Sequence, residues 1–246
     1  EQYLPGYTPK SNDPNPVMKK FPLEVVRCNI EQNPHGCGLV QLRHSINPDF
    51  MYERYFYRSG INQTMTMNLQ EIVDQAKSKV QLEQNDLVID IGCNDGTLLK
   101  NYQSLNVKSV GFDPAKNMFE FSKKSGAEII IDYFNSNSFL SRYGNSKAKI
   151  ITSIAMFYDL ENPNTFVQDI SKILHPEGVW VLELSYLPSM LTQNAFDTIV
   201  HEHLEYYHLS VIEYLLQKFN LKVMDVFLND VNGGSFRIFV KHKEQP

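Results

Sequence analysis

Short apolar runs alternate with amphipathic stretches along most of the chain after residue 86. Five runs rich in Val, Ile and Leu are typical of strands buried on both faces, and segments with a helical period lie between them. Two further runs flank the turn sequence NDVNGG near the end, as in an antiparallel hairpin. The pattern predicts an α/β fold with a doubly wound sheet and an antiparallel end. The predicted strands are Leu87–Ile91, Val107–Phe112, Ala127–Ile131, Ile150–Ala155, Val179–Leu184, Leu221–Leu228 and Ser235–Val240, and the predicted helices are Asn68–Val80, Asn117–Lys124, Pro163–Leu174 and Ile212–Phe219.

The chain before these runs is less regular. A proline-rich arm precedes two strand-like runs, Leu23–Arg27 and Leu39–Leu42, with Cys28 and Cys37 at the ends of the loop between them. Such a loop resembles half of a zinc ribbon, but a ribbon needs four ligands and has C-x-x-C spacing, whereas eight residues separate these cysteines. His35 is a third candidate ligand. Two interpretations stay open: an incomplete zinc site, or a hairpin with two unmetallated cysteines.

An aromatic segment follows, Asp49–Met65, in which tyrosines alternate with Arg54 and Arg58. Aromatic side chains at this density can simply cover a core. The alternative is the wall of a substrate site, in which Tyr55 or Tyr57 contacts a sugar and the guanidinium groups bind phosphate.

Composition excludes several classes of function. The net charge is −5, so no global field attracts nucleic acid. No apolar run approaches the roughly 20 residues of a membrane span, and the first ten residues lack the basic and apolar regions of a signal peptide. Three cysteines do not make a disulfide framework, so we expect a cytoplasmic protein.

The sequence DLVIDIGCNDG predicts a strand, a glycine-bearing turn and a helix that begins near Thr97. The dinucleotide fingerprint G-x-G-x-x-G fails here, because Asn94 lies between Gly92 and Gly96. The next strand ends at Asp113, where a carboxylate can accept hydrogen bonds from two ribose hydroxyls. With Asp90 ending the first strand, this order resembles the S-adenosylmethionine (SAM) site of class I methyltransferases. The alternative is a plain βαβ unit whose glycines serve turn geometry.

The third predicted strand ends in Asp132, Tyr133 and Phe134. In class I methyltransferases an acid at this point meets the adenine amino group and an aromatic neighbour stacks on the ring. The resemblance therefore adds Asp132 and Tyr133 or Phe134 to the cofactor site.

One connection, residues 185–210, is too long for a simple loop and carries the sequence HEHLEYYH. Three interpretations compete for His201, Glu202 and His203. They could hold a metal, although the H-E-x-x-H spacing is absent; they could form a buried polar network; or they could perform general acid–base catalysis. We favour the third, because methylation of a carbon beside a carbonyl requires a base and a donor that stabilises the enolate.

The blocks LEVVRC, CGLVQL, YFYRSGINQTM, VIDIGCNDG, FDTIVHEHLEYY and NGGSFR together resemble the SAM-dependent sugar C-methyltransferases, over nearly the whole chain. Those enzymes act on nucleotide-linked 4-keto deoxysugars. The resemblance implies a Rossmann-like methyltransferase sheet, His203 as the base, Glu202 and His201 as its active-site neighbours, and an active-site phenol at Tyr57 or Tyr55, of which we prefer Tyr57.

The resemblance also implies a division of the chain. We expect an N-terminal arm with a zinc-ribbon-like remnant and substrate-wall aromatics over residues 1–66, and a SAM-dependent methyltransferase domain over residues 67–246. A first cysteine pair found in the family is absent, and a C-terminal domain of similar fold is expected to be absent from this chain. The expected activity is C-methylation of a nucleotide-linked keto deoxysugar; the alternatives are O- or N-methylation on the same fold, or a methyltransferase-like scaffold without catalysis.

Overall fold

Twelve strands are found in the computed structural model, which describes residues 2–3 and 20–244 of the chain. They are β1 (Gln2–Tyr3), β2 (Lys20–Phe21), β3 (Val25–Arg27), β4 (Val40–Leu42), β5 (Leu87–Ile91), β6 (Lys108–Phe112), β7 (Glu128–Ile130), β8 (Ala148–Ile154), β9 (Leu174–Ser185), β10 (Glu205–Tyr206), β11 (Leu221–Asn229) and β12 (Ser235–His242). Seven of them form one sheet in the order β11-β12-β9-β8-β5-β6-β7. The strands from β5 to β9 pair in parallel, and β12 and β11 close the sheet as an antiparallel hairpin.

Helices cover both faces of this sheet. Within the described residues they are α1 (Asp49–Tyr52), α2 (Gln63–Ser78), α3 (Phe119–Ser122), α4 (Ser136–Tyr143), α5 (Pro163–Ile173), α6 (Leu187–Gln193) and α7 (Leu209–Gln217). On one face α2 packs against Val88, Ile150 and Val181. On the other face α5 and α7 pack against Ile151 and Trp180. Successive side chains of a strand point to opposite faces, so the apolar run of each central strand packs against helices on both faces of the sheet. None of the described helices has the length and apolar character needed to cross a bilayer.

The predicted doubly wound sheet is confirmed, and each predicted strand from Leu87 onwards lies within about two residues of an observed one, except that β9 begins five residues earlier, at Leu174. The helix expected over Asn68–Val80 begins earlier, at Gln63, because the Asn62 side chain caps it by accepting a hydrogen bond from the Met65 N–H at 3.3 Å. The sequence analysis missed α4 and α6. The connection over residues 185–210 therefore holds a helix and the short strand β10.

The prediction of an α-helix beginning near Thr97 is wrong. A 3₁₀ turn over Leu99–Tyr102 follows the glycine turn instead. The Asp95 carboxylate accepts hydrogen bonds from the Thr97 N–H at 3.2 Å and the Thr97 hydroxyl at 2.6 Å. Local bonds of this kind compete with the regular pattern of a helix.

A second sheet joins the N-terminal segment to the late connection. Its order is β10-β4-β3, and all pairs are antiparallel. The expected hairpin around Cys28 and Cys37 is thus present as β3 and β4, and β10 extends it from the far side of the expected boundary at residue 66. Most of the predicted irregular arm, residues 1–22, lies outside the described residues.

Candidate active site

A cavity of about 910 Å³ opens at the carboxyl ends of β5, β6 and β8. Ligands of open α/β sheets bind at this edge. It is lined by the turn after β5, the segments after β6, β7 and β8, the aromatic segment around α1, the helix α2, the connection before β10 and the turn between β11 and β12. The cavity brings together many of the residues singled out in the sequence, including Gly92, Asn94, Asp113, Asp132, Tyr57 and His203.

The turn after β5 carries a carboxylate held by main-chain donors. The Asn94 N–H donates to Asp113 Oδ2 at 2.7 Å, and the Ala115 N–H donates to Asp113 Oδ1 at 2.8 Å. Burial raises the pKa of Asp113, and these two donors oppose the rise. Each carboxylate oxygen keeps a further lone pair, so the group can accept hydrogen bonds from a ligand's hydroxyls.

The glycines of this turn have different roles. Gly92 lines the cavity with a φ of 73°, and a Cβ there would come within 3.1 Å of the Met156 side chain. Gly96 does not line the cavity; with a φ of 76° it packs so closely on α3 that a Cβ would lie 2.9 Å from the Ser122 carbonyl oxygen. Gly96 is therefore placed where backbone packing, and not ligand contact, requires glycine.

Asp90, the last acid of β5, is fully buried under the turn. Its Oδ1 accepts a hydrogen bond from the Thr152 hydroxyl at 2.6 Å. Burial raises the pKa of Asp90 to about 7, with a smaller contribution from the Asp113 charge. Asp90 supports the floor of the cavity.

The aromatic segment is fixed on the turn by Asn94 and its neighbour. Asn94 donates from Nδ2 to the Tyr57 carbonyl at 2.9 Å and accepts from the Ser59 N–H at 3.0 Å. The Asp95 carboxylate accepts from the Gly60 N–H at 2.9 Å and lies 3.8 Å from Arg58 Nε. The segment thus forms a wall over the cavity.

These contacts also decide the direction of the side chains in the segment. The Arg58 guanidinium stacks 3.7 Å from the centre of the Phe121 ring, so the structure does not bring it to the cavity as a phosphate ligand. Tyr55 and Tyr57 line the cavity; burial raises the pKa of both phenols, which stay protonated at neutral pH.

The acid and aromatic groups after β7 lie at the cavity mouth. Asp132 is exposed, and its Oδ1 accepts a hydrogen bond from the Tyr133 N–H at 2.8 Å. The Tyr133 hydroxyl donates to Asp49 Oδ1 at 3.1 Å, which joins this side of the mouth to α1. Phe134 completes the wall by packing edge-on against Phe112.

His203 lies in the cavity wall with a defined tautomer. Its Nδ1 is 2.8 Å from the carbonyl oxygen of Thr198, and a carbonyl only accepts, so Nδ1 carries the proton. Nε2 has no hydrogen-bond partner among the described residues. The ring packs edge-on against Tyr158, with centres 4.5 Å apart. Burial lowers the pKa of His203, so the imidazole is neutral with a free lone pair at neutral pH.

Its two neighbours in the sequence point elsewhere. His201 is buried, and its Nε2 lies 3.2 Å from the carbonyl oxygen of Pro22, with the ring against Phe21. Glu202 accepts a hydrogen bond from the Tyr52 hydroxyl at 3.2 Å, but through its main-chain carbonyl. Neither side chain lines the cavity, so the structure brings only His203 of the three to it.

Asp159 lines the same cavity as His203 and was not among the predicted site residues. Its Oδ1 is buried and has no hydrogen-bond partner in the described structure. Burial and the nearby Glu202 and Glu205 carboxyls raise its pKa well above the ordinary value. Burial also raises the pKa of Glu205 to about 9. The neighbours of Asp159 come from α1 and the late connection, which are far from it in the sequence.

The NGGSFR block begins at Asn232, which lines the cavity, and ends at Arg237, which belongs to a structural network. Arg237 is buried and pairs with Glu183 at 2.8 Å. It also donates to Asn68, Glu71 and Gln75 of α2 at 2.7–3.0 Å. The network joins α2 to β9 and β12 and so fixes the helix that contributes Met65 and Leu69 to the cavity wall.

The two candidate zinc ligands lie close together outside the cavity. The Cys37 N–H donates to Cys28 Sγ at 3.4 Å. Over residues 20–244, no group of three or more His, Cys, Asp or Glu side chains has an arrangement that could hold a metal ion. The pair therefore lacks the further ligands of a structural zinc site within this range.

The residues present fit SAM. Asp113 offers free lone pairs beside a turn where Gly92 lets a ligand approach the backbone, and Asp132 lies further along the same cavity. Phe112, Phe134 and Phe166 supply an apolar wall for an aromatic base. The volume is in the range of cofactor sites.

Solved structures with the same fold include methyltransferases. A methyltransferase of Clostridium acetobutylicum that depends on S-adenosylmethionine matches with a TM-score of 0.55 at 13% identity, covering 72% of this chain and 92% of that one. Magnesium protoporphyrin IX methyltransferase of Synechocystis PCC 6803, with bound SAM, matches with a TM-score of 0.52 at 11% identity, covering 71% and 78%. The sheet order is that of the class I methyltransferase fold, with the cavity at the edge where ligands of this fold bind.

Sequence comparison gives the family. The profile described as "Methyltransferase domain" matches residues 58–226, and the chain belongs to that family. C-methyltransferase NovU of Streptomyces niveus is 31% identical over 222 residues, which are 89% of this chain and 51% of that protein. The chain thus spans about half the length of this curated relative.

Proposed function

We propose that this chain is the catalytic part of a SAM-dependent C-methyltransferase that acts on a nucleotide-linked keto deoxysugar. The observation that carries the proposal is His203: a neutral imidazole with a fixed tautomer and a free Nε2, in the same cavity as the cofactor turn. The 31% identity to a protein named as a C-methyltransferase supports the reaction type. The phenols that line the cavity are suited to contact a sugar.

His203 acts as the general base in this proposal. Its Nε2 lone pair takes a proton from the acceptor carbon next to the ketone, and the electron pair of that C–H bond moves into an enolate. The Thr198 carbonyl accepts from Nδ1–H, so it orients the ring and stabilises the imidazolium that forms. Bound SAM supplies an electrophilic methyl group for the carbon nucleophile.

The cofactor residues have separate tasks in the proposal. Asp113 accepts hydrogen bonds from the ribose hydroxyls, Gly92 and Asn94 provide the close backbone surface, and Asp132 meets the adenine amino group. Tyr57, on the segment fixed by Asn94, covers the bound acceptor.

The test is product analysis with SAM labelled with carbon-13 in its methyl group and dTDP-4-keto-6-deoxyglucose as acceptor. We expect a labelled C-methyl resonance, which is well separated from that of an O- or N-methyl group. His203→Ala should lower turnover by roughly 10²–10⁴-fold, the usual contribution of a general base, while SAM affinity by calorimetry stays within about two-fold.

His44→Ala is the matched control, because His44 is exposed and lies outside the cavity. It should retain full turnover. An O- or N-methyl product would show that the acceptor atom is wrong, and normal turnover by His203→Ala would remove this residue from the mechanism.

A further inference from the structure

The cavity wall after β8 contains a carboxyl group for which the described structure supplies no counter-ion. Asp159 ends the 3₁₀ turn Phe157–Asp159 after β8 and lines the cavity. Ion pairs occur throughout residues 20–244, but none involves Asp159, Glu202 or Glu205. A buried carboxylate without a cation is strongly unfavourable, so such groups hold their proton.

Contacts of the preceding residue, Tyr158, hold the turn that carries Asp159 against the His203 segment. The ring of Tyr158, the preceding residue, packs on the His203 ring with centres 4.5 Å apart. The Leu204 N–H donates to the Tyr158 carbonyl at 2.8 Å. The turn that carries Asp159 and the segment that carries His203 are therefore held together at one end of the cavity.

The groups that influence the charge of Asp159 are acids and phenols, and the neutral His203 imidazole lies on the adjoining segment. Glu202 and Glu205 come from the late connection, Tyr52 and Tyr55 from the aromatic segment, and Tyr158 and Tyr206 complete the surroundings. The Tyr52 hydroxyl alone favours the ionised form, and its effect is smaller than those of burial and the two glutamates. Within the described residues, this arrangement favours a neutral Asp159.

We propose that Asp159 is a catalytic residue that donates a hydrogen bond from its neutral carboxyl to the keto oxygen of the acceptor. This inference rests on the proposed function. His203 removes the proton from the carbon, negative charge develops on the neighbouring oxygen, and the Asp159 O–H faces that charge without transferring its proton. A neutral carboxylic acid is an effective donor for an enolate in a site with little water. Oδ1 is closed off from the cavity and has no partner, so the oxygen left for the ligand in this part-buried, cavity-lining residue is Oδ2.

The test separates enolate formation from methyl transfer. The protein is incubated in D₂O with dTDP-4-keto-6-deoxyglucose and S-adenosylhomocysteine, and proton NMR follows deuterium uptake at the carbon next to the ketone. Asp159→Ala should slow exchange by roughly 10²–10³-fold, the usual cost of losing one oxyanion donor. Asp159→Asn keeps a neutral N–H donor and should retain exchange within about ten-fold of wild type.

The pH profile distinguishes catalysis from a structural role. Wild-type exchange should fall at alkaline pH as Asp159 loses its proton, whereas Asp159→Asn should show no such fall, because the amide does not ionise. Asp74→Asn, on the exposed side of α2, is the matched control and should behave as wild type. Infrared difference spectra of wild type minus Asp159→Asn should show a protonated carboxyl at neutral pH in the ligand-free protein.

Each outcome is decisive. Normal exchange by Asp159→Ala, an alkaline fall that persists in Asp159→Asn, or an ionised Asp159 in the infrared spectrum would overturn the role of Asp159 alone. Absence of both exchange and C-methyl product in the wild-type protein would overturn the proposed function, and the inference with it.

Discussion

Two carboxyl groups inside this fold, Glu183 and Asp159, differ in how many hydrogen-bond partners and counter-ions surround them. Both Glu183 oxygens have partners: Asn68 donates to Oε1 at 2.5 Å, and Arg237 and Asn229 donate to Oε2 at 2.8 and 2.9 Å. Asp159 has no counter-ion in the described residues and a buried Oδ1 without any partner. Glu183 lies between the sheet and α2, whereas Asp159 lies in the cavity wall.

The difference indicates which polar groups serve the fold and which serve a ligand. A buried ion pair with complete hydrogen bonding can be tolerated in a core, while an unsatisfied polar atom destabilises the folded state. An acid of this kind in a cavity wall is a candidate for contact with a ligand. Ala155, which lies four residues before Asp159 with a φ of 52°, is a further strained position in the same wall.

The largest expected effect on stability comes from removing the cation that pairs with the buried Glu183 carboxylate. Arg237→Ala leaves the Glu183 charge buried without a cation and should lower the free energy of unfolding by about 3–5 kcal/mol, measured by urea denaturation. Lys79→Ala provides the contrast, because its pair with Asp225 is about one-third exposed and should contribute less than about 1 kcal/mol. Equal losses in the two variants would contradict the distinction between buried and exposed pairs.

A smaller change in the free energy of unfolding, of opposite sign, is expected from neutralising Glu205, an acid near Asp159. Folding raises the pKa of Glu205 from its ordinary 4.5 to about 9, so the folded state binds a proton that the unfolded state releases between these values. Wild-type stability should therefore fall as pH rises through this window. Glu205→Gln removes the titration and should be more stable than wild type by a few kcal/mol, on the order of 2–4, near pH 8.5.

Urea unfolding at about pH 5 and pH 8.5 checks this prediction. The advantage of Glu205→Gln should shrink towards the lower pH, where both states of the wild-type protein are protonated. An advantage that is independent of pH would mean that the substitution acts through packing.

Asp113 lies between the cases of Glu183 and Asp159. A main-chain N–H donates to each of its carboxylate oxygens, and further lone pairs stay free for a ligand. Asp113→Asn should weaken SAM binding by about 10–100-fold, since charge-assisted bonds to the ribose contribute about 1.5–3 kcal/mol each. Calorimetry measures the affinity, with Asp74→Asn as the control on an exposed carboxylate. Unchanged SAM affinity in Asp113→Asn would assign the ribose to another part of the cavity.

The comparison also shows what local sequence can reveal. The cofactor turn was predictable because its signals are adjacent: an apolar run, a buried acid and glycines with positive φ over residues 87–96. The helix α4 was missed because it buries only Ser136 and Phe139, which gives no clear apolar period; its cap, Asn135 accepting from the Ser138 N–H at 2.8 Å, was the available signal.

The HEH sequence marked the right segment but could not separate its members. His203 faces the cavity and His201 faces Pro22, since the chain turns between Val200 and His203. The roles given to Glu202, His201 and Tyr57 stay predictions, and the structure brings Tyr57 but not the other two side chains to the cavity.

The sequence by itself determined the parallel sheet and the cofactor turn, because hydrophobic period, glycine geometry and strand-end acids act between residues close in the chain. Only the tertiary structure decided which carboxyl groups have hydrogen-bond partners and a counter-ion. Arg237 reaches Glu183 across 54 positions, and Tyr52 and Asp159 meet beside Glu205 from three separate segments. The energy of a buried charge depends on all the groups packed around it, and that surrounding set exists only once the chain has folded.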